Sequence, residues 1–207
     1  MGEAVNGADL TPEMVWAGYS QGYFPMTVYA NEVEWLYPRR RTLFPIAGLH
    51  VSKSLKKTLR QKRFEVRFDT AFRQVMERCV RPDENWISKD FVRVYTDIHE
   101  QGWAHSAESW EGGELVGGVY GVAIGACFCA ESMFFTKTDA SKVALCALID
   151  KCRELGFIAV DAQIMNPHLA SLGAYDIPHT EYLTILKAAM ARSTPWSRPG
   201  PPAVADS

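Results

Sequence analysis

The stretch "AHSAESWEGGELVGGVYGVAIGACFCAESMFF" (residues 104–135) decides the fold. It divides into "AHSAESW", a Gly112-Gly113 turn, "ELVGGVYGVAIG" and "ACFCAESMFF", three apolar-rich runs joined by turn residues, and so predicts a β-meander. Working outward, an amphipathic helix follows from Ala140 to Leu155, capped by Asp139 or Ser141. A return strand, "FIAVDAQ" (157–163), then ends in Asp161 and Gln163, which share one face by strand alternation. A last helix begins near Thr180. On the other side, Ser88 opens a helix with Phe91, Tyr95 and Ile98 on one face. Asp69 caps another with Phe72, Val75, Met76 and Cys79, and "FEVRFD" before it alternates as a strand. Antiparallel strands, a helix and a return strand make an α+β pattern.

The first element, "TPEMVWAGYSQG", has Thr11 as N-cap, Pro12 at N1, Met14, Val15 and Tyr19 on one face, and Gly22 as its stop. With the aromatic, turn-rich stretch behind it, it predicts a small N-terminal unit over 1–38, followed by a main domain over 39–192. The tail 193–207, "STPWSRPGPPAVADS", is too rich in Pro, Ser and Gly to pack and is expected to be disordered.

The chain has 207 residues, 47% of them hydrophobic, and a formal net charge of −2. That excludes a uniformly basic nucleic-acid coat. No cleavable signal and no membrane-length apolar run are apparent, so a cytoplasmic protein is expected. The helix-like segment Lys53–Arg63 nevertheless concentrates Lys53, Lys56, Lys57, Arg60, Lys62 and Arg63 without an acid, a local positive field suited to phosphates or simply to solvent. Five cysteines without a CxxC pair predict small buried hydrophobes rather than a metal site.

Glu108, Glu131 and Asp161 each place a carboxylate in an apolar strand. Such groups need partners or a cleft, and three in one sheet point to a shared pocket. A triad of Ser106 or Ser132 with His105 and Asp161 lacks a G-x-S-x-G elbow. Zinc on His105, Glu108 and His168 lacks the usual spacing. The glycines of "GGVYGVAIG" lie within a strand, which argues against a phosphate cradle.

Taken together, "YSQGYFPM", "PRRRTLFP", "HVSKSLKK", "NWIS", "HEQGWAHSAESWEGGELVGGVYGVAIG", "ESMFF", "DASKVALCAL", "GFIAVDAQ" and "HLASLGAYDIP" resemble the leucyl/phenylalanyl-tRNA–protein transferases, from about Thr11 to Leu183. The resemblance implies a GNAT-like domain behind a small N-terminal domain. It implies transfer of leucine or phenylalanine, with methionine as a further candidate donor, from charged tRNA to the α-amino group of proteins with N-terminal Arg or Lys, marking them for degradation. No cofactor, metal or membrane is implied, and a monomer is expected. On this resemblance Gln163 is the catalytic amide and Asp161 the carboxylate that orients it by accepting a hydrogen bond from that amide. Trp86, Phe128, Glu131, Leu148 and Met26 form the substrate pocket, and Lys53, Lys57 and Arg60 contact the tRNA. Some members carry Trp at the position of Met26 and an aromatic at that of Leu148, and most have Arg where this chain has His179. The alternatives are a tRNA- or peptide-binding module of the same fold without transfer activity, and an N-acyltransferase with a small-molecule donor.

Overall fold

The computed structural model describes residues 5–28, 31–80 and 87–197. In chain order the elements are β1 (Val5–Asn6), α1 (Pro12–Ser20), β2 (Phe24–Thr27), β3 (Glu32–Leu36), β4 (Arg40–Phe44), α2 (Lys53–Arg60), β5 (Glu65–Phe68), α3 (Phe72–Cys79), α4 (Lys89–Glu100), β6 (Ala104–Glu111), β7 (Glu114–Ile124), β8 (Cys127–Phe135), α5 (Ala140–Glu154), β9 (Ala159–Gln163), α6 (Pro167–Ser171), β10 (Tyr175–Pro178) and α7 (His179–Met190). The predicted meander is β6–β8, and its partners extend it to a seven-stranded sheet ordered β10-β4-β9-β8-β7-β6-β5. Neighbours pair antiparallel except β8 and β9, which run parallel. The crossover between those two is α5, as a parallel connection requires. The N-terminal region adds a small sheet ordered β1-β3-β2.

Burial follows from the alternation of the strands. One face carries Leu43, Tyr120, Val122, Cys127 and Cys129 and is covered by α1, α3, α4 and α7. The other carries Phe44, Val119, Phe128 and Val160 and is covered by α5. Thr11 caps α1 through Met14 N, and Ser88 caps α4 through Phe91 N, as their positions predict. Four of the cysteines are buried and Cys146 is half-buried, with burial pushing its thiol up to about 11. No helix among the described residues is long and apolar enough to cross a membrane.

Four expectations change. Asp69 does not cap α3: its carboxylate accepts from Ser106 N–H and pairs with His105 Nδ1. The backbone N–H groups ahead of that helix, at Thr70 and Ala71, are instead taken by Glu108, 3.1 Å from each. Glu108 also accepts from Ser106 Oγ and Thr70 Oγ1, so it is a satisfied core acid rather than part of a shared pocket. At α5, Asp139 occupies the N-cap position without a side-chain capping bond; it accepts from Thr58 Oγ1 and pairs with Lys142.

The fourth concerns the tail. Thr194, Trp196 and Ser197 are buried, although their composition assigned them to an unpacked segment. The Trp196 ring stacks on His105 at 4.5 Å and packs against Phe68, Phe128 and Phe157, which supplies the apolar contact that Pro and Ser lack. Residues 198–207 lie outside the described residues.

Candidate active site

The two parallel strands position the site. Pairing of β8 with β9 stops at Cys129↔Asp161, and each strand carries a bulge just beyond that point. On β8 the partners of Tyr120 and Gly121 are Ser132 and Ala130, which leaves Glu131 as the extra residue. On β9 the partners of Thr42 and Leu43 are Gln163 and Asp161, which leaves Ala162 extra. Bulges bend a strand and re-aim its side chains. The β8 bulge needs a bare backbone opposite it, since a Cβ on Gly121 would lie 2.2 Å from Cys129 O.

A cavity of about 700 Å³ opens where the strands part. Its walls include Phe24 and Met26 of β2, Glu131 and Met133 of β8, and Gln163 followed by Asn166–Leu169 at the end of β9 and in α6. Gln163 Nε2 donates to Glu131 Oε1 at 2.8 Å, and Tyr19 OH, from α1, donates to the same oxygen. Tyr19 OH is in turn 3.2 Å from Tyr95 OH. Burial raises the Glu131 carboxyl to about 8, reinforced by the Asp161 charge and opposed by Tyr19, Arg41 and Gln163. Glu131 is therefore largely protonated at neutral pH, with a proton balanced near that of an α-ammonium group.

Asp161 lies behind this wall, fully buried. Arg41, on β4, grips it through Nε at 2.9 Å from both carboxylate oxygens and through Nη2 at 2.6 Å. Tyr182 OH donates to it at 3.1 Å. The contact with Gln163 differs from expectation. Asp161 Oδ1 accepts from the Gln163 backbone N–H at 2.9 Å, while the side-chain amide reaches Glu131. The reason is local: Gln163 has φ +57°, and the bulge at Ala162 turns its side chain away from the carboxylate.

Of the other pocket residues expected from sequence, Met26 and Glu131 line the cavity. Phe128 and Leu148 are fully buried in the cluster that backs it, together with Phe44, Ala130 and Ala162, which do line it. Trp86 lies outside the described residues. Lys53, Lys57 and Arg60 are exposed along α2, whose inner face buries Leu55, and they make no ion pair with a described residue. His179, at the start of α7, is buried, and its ring packs 3.8 Å from that of Tyr37. Burial and the nearby Arg41 charge lower its basicity, and the guanidinium facing Asp161 comes from Arg41 instead.

Sequence reading missed Arg41 and the phenols. A signal existed for each: Arg41 is two residues from Leu43 and so shares its inward face, and a tyrosine on an apolar helix face needs a partner for its hydroxyl. Among the described residues, the group most like a metal site is Asp69, His99 and His105. There His105 already faces Asp69 at 2.8 Å and the Trp196 carbonyl at 3.1 Å, while His99 Nδ1 is 2.7 Å from the Ala104 carbonyl. These contacts make the cluster a clasp on the C-terminal segment.

A cavity walled by a carboxyl held largely protonated and an amide, with a buried phenol behind them and, among the described residues, no hydrogen bond from a base to a serine or cysteine of its wall, suits an enzyme that aligns two reactants and manages one proton. Residues 43–187 match the family model described as leucyl/phenylalanyl-tRNA protein transferase, and residues 8–39 match that family's N-terminal domain. The leucyl/phenylalanyl-tRNA–protein transferase of Herpetosiphon aurantiacus is 46% identical over 182 residues, covering 87% of this chain and 95% of that protein. The protein of the same name from Ruegeria pomeroyi is 45% identical over 183 residues, covering 87% of each, and that of Chlorobaculum tepidum is 41% identical over 185. The chain belongs to the leucyl/phenylalanyl-tRNA–protein transferase family.

Proposed function

We propose that this chain is an aminoacyltransferase that moves a leucyl or phenylalanyl group from tRNA to the α-amino group of a protein N-terminus. The observation that carries the reading is the Gln163 amide held on Glu131 at the cavity wall, in a chain of this family. The reaction forms an N–C bond, breaks the ester C–O bond, and returns a proton to the departing 3′ oxygen of the tRNA. An aminoacyl ester is already activated, so alignment supplies most of the acceleration, ~7 kcal/mol or more in a well-fitted site. Gln163 offers its amide oxygen to the incoming amine and acts by placement, since an amide is a poor base. The fraction of Glu131 in its carboxylate form, with a pKa near the amine's own, takes the proton and returns it to the departing 3′ oxygen.

Acceptor proteins with N-terminal Arg or Lys, their consequent degradation, a cytoplasmic location and a monomeric state belong to the same reading. The parting of parallel β8 and β9 after Cys129 and Asp161, and the α5 crossover between them, support a GNAT-like main domain over 39–192 behind the N-terminal unit over 1–38. Met26 and Glu131 bound the aminoacyl end, and the mostly apolar walls favour an apolar donor such as leucine, phenylalanine or methionine. A donor side chain meets Phe44, Ala130 and Ala162 before it can reach Phe128 or Leu148.

The test is transfer of labelled leucine, phenylalanine or methionine from charged tRNA to an Arg-initiated peptide, run in parallel. Transfer that depends on tRNA and falls about 100-fold in Gln163→Ala is expected, the scale of a misplaced reactant. Near wild-type rates in both Gln163→Ala and Asp161→Ala would remove these residues from the mechanism. A tRNA-independent reaction with a thioester would favour the small-molecule alternative.

Lys53, Lys57 and Arg60 serve as phosphate contacts on the exposed face of α2. Replacing all three with glutamine is expected to weaken tRNA binding and to reduce the slope of log affinity against log salt by about 2–3, at close to one unit per lost contact. The measurement is a titration of charged tRNA at several salt concentrations. An unchanged slope would make α2 an ordinary solvated helix.

A further inference from the structure

We propose that Arg41 is a positioning residue for the reaction: through Asp161 it fixes the backbone of Gln163, and through Gly22 and Phe24 it fixes the opposite wall of the cavity. The guanidinium is fully buried and its donors divide between two parts of the chain. Nε and Nη2 hold the Asp161 carboxylate, and Nη1 donates to the Gly22 carbonyl at 3.1 Å. Its flat faces lie against two rings, with the guanidinium carbon 4.8 Å from the centre of Phe24 and 4.6 Å from that of Tyr182. Phe24 opens β2, the strand that lines the cavity with Met26. One side chain therefore ties β2, β4, β9 and α7 together directly behind the Glu131–Gln163 contact.

What Asp161 does with its remaining capacity gives this arrangement a consequence for chemistry. Oδ1 accepts the Gln163 N–H at 2.9 Å, and Gln163 holds the left-handed φ of +57° that a side-chain-bearing residue adopts only when its surroundings impose it. A carboxylate free to rotate would release that N–H, the backbone would relax toward ordinary strand geometry, and the amide would swing off Glu131. Retention of the fork, not merely of the charge, is what matters. A lysine ammonium cannot hold both carboxylate oxygens and the Gly22 carbonyl in one plane. The pair is also a poor choice for stability alone, since buried ion pairs do little better than packed apolar side chains of the same volume.

The proposal rests on the assignment of Gln163 above, and the experiment separates the two. Arg41→Lys is made alone and in the Gln163→Ala background. For each variant we expect a folded protein by its thermal transition. Exchange at the Gln163 N–H is followed by NMR in the variant that retains that residue, and kcat and KM for charged tRNA are measured throughout. Expected in Arg41→Lys is exchange at Gln163 about 10-fold faster or more, kcat lower by about 10-fold with KM for charged tRNA within about twofold, and no further loss of kcat when Gln163 is already alanine. Unchanged exchange at Gln163 overturns the proposal, and so does an equal loss of kcat in both backgrounds, because a merely structural role would be additive. If Gln163→Ala alone keeps the wild-type rate, the reading of Gln163 fails, while the exchange at its N–H still decides what Arg41 does. Should the lysine variant not fold, Asp161→Asn keeps one oxygen for the Gln163 N–H but denies the guanidinium the second, and it is read in the same two ways; unchanged exchange and rate there overturn the proposal.

Discussion

Trp196→Ala is expected to lower the free energy of unfolding by about 3–5 kcal/mol, the range for truncating a large buried aromatic. The ring is nine-tenths buried in the cluster that contains Phe128, Phe157 and Leu148, and it stacks in parallel on His105. Its removal strips a contact from each of these and opens a void in the layer behind the cavity. The Trp196 carbonyl also faces His105 Nε2, and His105 Nδ1 faces Asp69, so the last described residues are clasped to the start of β6. Trp196→Phe keeps most of the apolar contact and should recover most of the loss. Chemical denaturation of the three proteins measures this. A loss below about 1 kcal/mol for the alanine variant, the scale of an ordinary surface change, would mean that the segment does not dock as described.

Trp196 also marks a limit of reading from sequence. Composition over residues 193–207 correctly registers a scarcity of apolar side chains, but one tryptophan in the right place outweighs it, and its receiving surface is assembled from β5, β6, β8 and Phe157 just ahead of β9. No local pattern carries that information. Where period and capping decide, the sequence is legible: the meander β6–β8, the helix α5 and the caps at Thr11 and Ser88 all follow from it. The short strands β4 and β10, four or five residues each, do not advertise themselves. With β4 goes Arg41, which determines what Asp161 can bind. Strand alternation raised the pairing of Asp161 with Gln163, yet the contact runs through the backbone because a bulge intervenes at Ala162. The same device makes Glu131 the odd residue of β8. Bulges depend on the register of two strands together, so the part of the site nearest the chemistry is the part least visible in one strand at a time.

Glu131→Gln is expected to change how both stability and rate respond to pH. The native carboxyl is raised to about 8 from an ordinary value of 4.5, chiefly by burial. Between those values the folded protein holds a proton that the unfolded chain releases. The derivative of unfolding free energy with pH, proportional to protons bound in the unfolded state minus those in the native state, is then negative. The contribution is complete below about 4.5, declines as pH rises, and is gone above about 8, on the order of a few kcal/mol in all. Glutamine resembles the protonated form and can accept from Tyr19 and Gln163 through the same oxygen, but it has nothing to release. Relative to wild type the variant should therefore gain stability from about pH 5 to pH 8 and level off above it, as read from denaturant midpoints. Activity should move the other way. If Glu131 exchanges the proton of the attacking amine, the ratio of wild-type to variant kcat rises through pH 8 as the wild-type carboxylate forms. Titration of the peptide's own α-amine affects both enzymes alike and cancels in that ratio. A ratio flat with pH, alongside the expected stability trend, would leave Glu131 as a half-buried anchor for Gln163 and transfer the proton step to the substrate's own groups.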